Sequence, residues 1–123
     1  MKIQYEKVEP ASSDERRTLI PVFNGDFLAK QVKVLSIKKN SVLGNHYHEY
    51  SELFYLLEGR ANYTFEDVDT KERRSIEMKK GERIRISPRI AHKAEFLEDT
   101  VMIEGTEAEY ISREANDRIY KII

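Results

Sequence analysis

Apolar positions along the chain come in short bursts, each closed by Gly, Asn, Asp or Pro. Residues 18–23 (Thr-Leu-Ile-Pro-Val-Phe) run into Asn24-Gly25-Asp26, a turn signal. Residues 32–37 end at Lys38-Lys39-Asn40-Ser41, and residues 53–57 end at Glu58-Gly59-Arg60. Between Ala61 and Phe65 apolar and polar residues alternate, the period of a half-buried strand. Residues 67–71 are polar and predict a hairpin loop. Ile84 and Ile86 alternate with Arg83 and Arg85, which places the two arginines on an outward charged stripe. Residues 94–97 and 101–103 flank a further turn at Glu98-Asp99-Thr100. Short strands at this rhythm predict an all-β, antiparallel sandwich or barrel. One segment, residues 107–118, has helical spacing through Ala108, Ile111 and Ala115. Asn116-Asp117 weakens it, so it reads as a loop or a short helix.

Composition narrows the function. At 123 residues, 40% of them hydrophobic, the chain accommodates one core and one domain, residues 1–123. Lys and Arg number 21 against 22 Asp and Glu, so no basic excess points to nucleic acid or to an anionic membrane. The absence of Cys excludes disulfides, thiolate metal sites and a cysteine nucleophile. No apolar run approaches membrane-spanning length, and the expected location is the cytoplasm.

The chemistry concentrates in three histidines. His46 and His48, within Gly44-Asn45-His46-Tyr47-His48, project to the same face if they lie on a strand. Glu52 is a further even number of residues along and joins that face if the strand stays regular. Imidazoles converging with a carboxylate form a ligand set suited to Fe, Mn, Ni, Co or Zn. The remaining histidine, His92, ends the run from Gly81 through Ile84, Ile86 and Pro88.

The order His-x-His, Glu, Gly at His46, His48, Glu52 and Gly59 resembles the first motif of the cupin superfamily (residues 44–59). Gly81, Pro88 and His92 resemble its second motif (residues 81–92), with Arg89 where a Gly is usual. The resemblance implies a double-stranded β-helix, or jelly-roll barrel, with one divalent transition metal on His46, His48, Glu52 and His92. A fainter resemblance covers residues 14–19, 44–48 and 110–120. It is to the cupins of deoxysugar and capsular-polysaccharide synthesis, the dTDP-4-keto-hexose 3,4-ketoisomerases and 3,5-epimerase-related proteins. It implies a carbohydrate or nucleotide-sugar ligand and isomerase or epimerase chemistry. Arg17 stands where those proteins often have Gly. Those ketoisomerases work without metal, which would make His46 and His48 the acid/base pair instead.

A metal-dependent dioxygenase and a non-catalytic binding cupin are the other readings of the same ligand set. Tyr47, Tyr50, Tyr55 and Tyr63 are packing residues unless one lines the barrel, where its hydroxyl could carry a proton. Leu35, Ile37 and Val101, taken as outer positions, predict a homodimer.

Overall fold

The computed structural model describes residues 1–122. In chain order its strands are β1 (Ile3–Lys7), β2 (Ser12–Ser13), β3 (Thr18–Leu19), β4 (Gln31–Ile37), β5 (Val42–Tyr47) and β6 (Glu52–Glu58). They continue as β7 (Arg60–Asp67), β8 (Arg73–Lys79), β9 (Glu82–Ile86), β10 (Ile90–Phe96) and β11 (Thr100–Thr106). A single-turn helix, α1 (Arg113–Asn116), precedes β12 (Arg118–Ile119). One sheet runs β1-β9-β6-β11-β4 and the other β12-β5-β10-β7-β8, with β2 and β3 forming a separate ribbon. Every pairing is antiparallel. This is the all-β jelly roll that the pattern and the resemblance imply.

Alternation decides what fills the barrel. On β7, Ala61, Tyr63 and Phe65 are buried while Asn62 is exposed. Phe54, Leu56, Met78, Ile84 and Met102 join them in one core cluster. Each Phe, Leu, Ile or Met among them contributes about 1.5–3 kcal/mol when fully buried. Gly59 makes the β6–β7 turn at φ +99°, and a Cβ there would lie 2.2 Å from Thr100 Oγ1. No helix among the described residues is long and apolar enough to cross a membrane.

Three expectations change, and one, the loop or short helix at residues 107–118, holds. Residues 18–23 form a strand only at Thr18–Leu19, because Pro21 ends pairing and the chain then lies across the first sheet. Phe23 and Phe27 pack over Gly105 there. Of residues 107–118, only Arg113–Asn116 are helical, capped by the Ser112 side chain, which accepts from Ala115 N. Leu35 and Ile37 are not outer positions: opposite Met102 and Thr100 in the β4–β11 register, they face the core, and Val32 and Val34 are exposed instead. Arg83 and Arg85 do point away from the core, but they are not a solvated stripe. Arg83 pairs with Glu6 and Asp26 and donates to the Val22 carbonyl, and Arg85 donates to the Asp26 carbonyl. Both fasten the 22–27 segment to the sheet.

Candidate metal centre

Two strands of one sheet set the histidines. β5 carries His46 and leads directly into His48; β10 carries His92, and the register places His92 opposite His46. That register shifts between His92 and Lys93, and Gly44 sits against the irregularity at φ +106°. A Cβ on residue 44 would come within 2.4 Å of the His92 carbonyl oxygen, so only glycine lets the two strands approach this closely.

Glu52 reaches the same point by another route. β5 ends at Tyr47, a bend follows, and Glu52 opens β6 in the facing sheet. The regular strand that would have carried Glu52 alongside His46 and His48 does not exist; the carboxylate meets the imidazoles from across the barrel. A turn at residues 87–89 braces the arrangement. Arg89, at φ 65°, donates its backbone N–H to the His48 carbonyl, and its guanidinium holds Asp69 and Glu49.

Ring nitrogens of His46, His48 and His92 lie within 4.8 Å of one another. His48 Nε2 is 3.2 Å from Glu52 Oε1, and His92 Nδ1 is 3.9 Å from the same oxygen. Glu52 is 1% exposed. Both Glu52 Oε1 and His92 Nδ1 are buried without a hydrogen-bond partner. Such orphans are costly in an apolar interior. The three imidazoles form the metal-sized cluster, and Glu52 reaches it at His48 and His92, a donor set of the kind that suits a divalent transition metal.

Electrostatics favour neutral imidazoles. Burial pushes His46 and His48 below the ordinary histidine range. His92 is pushed furthest, by burial and then by the two neighbouring rings. Free ring lone pairs are the form a metal or an incoming proton requires. Burial, followed by the nearby Glu104, raises Glu52 well above its ordinary value. His48 Nδ1 lies 2.7 Å from the Asn116 carbonyl oxygen. A carbonyl only accepts, so Nδ1 carries the proton and Nε2 faces Glu52 with its lone pair.

A cavity of about 530 Å³ opens onto the histidines. Tyr63 and Phe54 line its apolar depth, and Lys33, Tyr110 and Arg113 lie nearer its rim. Tyr50 stacks on His48 with centroids 4.8 Å apart. Tyr47 instead packs against Tyr120 and under Arg89, and Tyr55 is buried in β6 but does not line the cavity.

Two polar residues of this cavity escape a reading of motifs. Lys33 and Glu104 are cross-strand neighbours, with Nζ 3.2 Å from Oε1. Their signal was parity: each occupies an inward position, Lys33 with Leu35 and Ile37, Glu104 with Met102. A charge at a core-facing position of a strand demands a partner.

The sequence profile of the Cupin_2 family, a cupin domain, matches residues 33–104, and the chain belongs to this family. The fold is similar to that of the QdtA sugar 3,4-ketoisomerase from Thermoanaerobacterium thermosaccharolyticum in complex with TDP. That similarity has a TM-score of 0.77 at 20% identity over 94% of this chain and 86% of that one. WlaRA, a TDP-fucose-3,4-ketoisomerase from Campylobacter jejuni, gives 0.79 at 21% identity over 96% and 89%. The dTDP-4-dehydrorhamnose 3,5-epimerase from Sulfolobus tokodaii gives 0.79 at 21% identity over 95% and 76%. At these identities the likeness establishes the fold. No curated protein sequence matches the chain.

Proposed function

We propose that this cupin binds one divalent transition metal through His46, His48, Glu52 and His92 and acts on a small polar carbohydrate or nucleotide-sugar ligand by isomerase or epimerase chemistry. The observation that carries the reading is the cluster of three imidazoles, two of them against the buried Glu52 carboxylate, with Glu52 Oε1 and His92 Nδ1 left unpartnered. The similarity in fold to sugar ketoisomerases and an epimerase supports the substrate class. A dioxygenase has no comparable support.

The chemistry needs no external oxidant. A proton leaves the carbon beside a ketone, and its electron pair forms a carbon–carbon double bond while the carbonyl oxygen takes the charge. Returning a proton to the former carbonyl carbon, as the neighbouring hydroxyl loses its own, moves the ketone by one carbon. Returning it to the original carbon from the opposite face inverts that centre instead. A bound metal would supply charge stabilisation at oxygen. With the imidazoles committed as ligands, the cavity wall still offers groups able to move protons, among them the Glu104 and Asp117 carboxylates and the Tyr50 and Tyr110 hydroxyls. Lys33 holds the Glu104 carboxylate, and Phe54 and Tyr63 keep bulk water from the deep side.

The contact between His48 Nε2 and Glu52 Oε1 also favours a metal-free reading, in which a proton bridges the two and His46 and His48 are the acid/base groups. Elemental analysis before and after chelation separates the readings. A near-stoichiometric metal lost on chelation supports the metal centre, and no metal under any loading condition hands the chemistry to the histidines. NMR of dTDP-4-keto-6-deoxyhexoses in deuterated water then tests the substrate class. Deuterium at the carbon beside the ketone, or a new isomer, supports it. Unchanged sugars across the panel, with binding intact, would reduce the protein to a binding cupin.

A further inference from the structure

After β11 the chain does not leave the barrel. Residues 107–122 cross from one sheet to the other over the cavity mouth and end beside β5, where Arg118 and Ile119 pair with Tyr47 and His46. This strap is fixed at its centre by one side chain. Asn116 is 8% exposed. Its Oδ1 accepts from Ile111 N at 2.8 Å and Ser112 N at 3.1 Å. Its Nδ2 donates to the Glu109 carbonyl at 2.9 Å and to the Tyr50 hydroxyl at 3.1 Å. An amide has two acceptor sites and two donor hydrogens, and here all four are used.

Two separate contacts run from this residue to His48. The Asn116 backbone carbonyl accepts a hydrogen bond from His48 Nδ1–H at 2.7 Å. The amide fixes the hydroxyl of Tyr50, whose ring stacks on the His48 face at an interplanar angle of 18°. Edge and face of one imidazole are therefore both touched by the same asparagine, and the neighbouring Asp117 carboxylate lies farther from that edge, at 3.5 Å from Nδ1. A residue that merely closed the strap would need neither contact.

We propose that Asn116 is the positioning residue of this site: it folds the strap so that its own carbonyl fixes His48 as the Nδ1–H tautomer, leaving the Nε2 lone pair facing Glu52 and the cavity. The inference rests on the reading of His48 as a working group, and it serves a metal ligand and a proton acceptor alike. A backbone carbonyl on the far nitrogen of a ligating histidine fixes tautomer and ring orientation, and losing such a partner typically lowers metal affinity about 10–100-fold.

The test uses the full chain, free of metal and substrate, at neutral pH. Long-range proton–nitrogen NMR correlations of its labelled imidazoles read the tautomer of each histidine directly. In the wild type, His48 is expected as pure Nδ1–H. In N116A it is expected to become a mixture of tautomers. N116D keeps the acceptors for Ile111 and Ser112 but loses both donors, and is expected to fall between. Titration with Ni2+ is the second readout, with affinity expected to drop at least about 10-fold in N116A. A wild-type His48 protonated on Nε2 overturns the proposal, and so does an N116A spectrum with the His48 tautomer unchanged. If N116A fails to fold, N116D decides: a His48 signal indistinguishable from wild type overturns the idea. A wild type that binds no Ni2+ yet shows the tautomer change refutes the metal reading and leaves the positioning role standing.

Discussion

Glu52 and His48 meet from opposite sheets, carboxylate oxygen to ring nitrogen at 3.2 Å, although they are only four residues apart in the chain. The bend between β5 and β6 turns a local sequence spacing into a contact across the barrel. Burial presses both groups toward their neutral forms. Without a third party between them, an ionised Glu52 is a buried charge with no hydrogen-bond donor at Oε1.

Replacing Glu52 with Gln therefore has opposite effects on the two forms of the protein. In the presence of chelator the variant is expected to be more stable than wild type at neutral pH, because a neutral amide replaces a carboxyl whose ionised form is disfavoured by burial. In the presence of Ni2+ or Co2+ it is expected to lose most of the metal-dependent rise in Tm. Paired thermal melts check both halves, and equal behaviour with and without metal would remove Glu52 from the ligand set.

The titration of the site gives stability a pH dependence of known sign. Folded His46, His48 and His92 hold their protons less tightly than the ordinary value of 6.5. As pH falls through 6.5 the unfolded chain gains protons first, so stability declines with acidification until the folded rings titrate. Glu52 acts in reverse. Its folded form keeps a proton that the unfolded chain loses near 4.5, so stability declines as pH rises from 4.5 to the folded value. Denaturant titrations in chelator across this range, repeated on E52Q, are expected to show the acid-side loss in both proteins. The opposing slope is expected only in wild type.

How much of this was legible beforehand differs residue by residue. His46, His48 and His92 stood out because two motifs used every histidine of the chain, and the β5–β10 register does bring them together. Glu52 was legible as a candidate but by the wrong geometry, since a period-two argument cannot see the bend at which the strand ends. Lys33 and Glu104 were invisible as a pair because their pairing is a property of register, not of either strand alone. In the sequence Asn116 reads as a helix breaker, and locally it does end α1. Its work lies in tertiary contacts, with Tyr50 and His48 lying 66 and 68 residues away. The misassigned Leu35 and Ile37 show the same limit: alternation gives two faces and does not say which one meets the core.

Arg89 occupies a left-handed conformation that favours glycine, at the position where the second cupin motif usually has one. Arg89→Gly relieves backbone strain but gives up the pairs with Asp69 and Glu49, whereas Arg89→Ala gives up the pairs and keeps the strain. The Ala variant is expected to melt below both wild type and the Gly variant. An Ala variant as stable as the Gly variant would show that the conformation at residue 89 carries no strain worth counting.

Gly44 offers the sharpest separation of site from scaffold. Its absent side chain admits the His92 carbonyl, and a methyl group there would meet that oxygen at 2.4 Å while forcing a non-glycine residue to φ +106°. Neither fault has a cheap remedy, because the obstacle is backbone and the conformation belongs almost to glycine alone. Gly44→Ala is expected to cost about 2–4 kcal/mol, the strain of an unfavourable φ plus the displacement of β5 from β10. That displacement acts on His46 and His92 directly, since they are register partners across this pair of strands. Metal affinity is therefore expected to fall more steeply than global stability, and at a temperature where the variant remains folded the ion should still be lost. A variant that melts lower yet binds Ni2+ as wild type does would mean that the His46–His92 approach does not depend on the strand pairing.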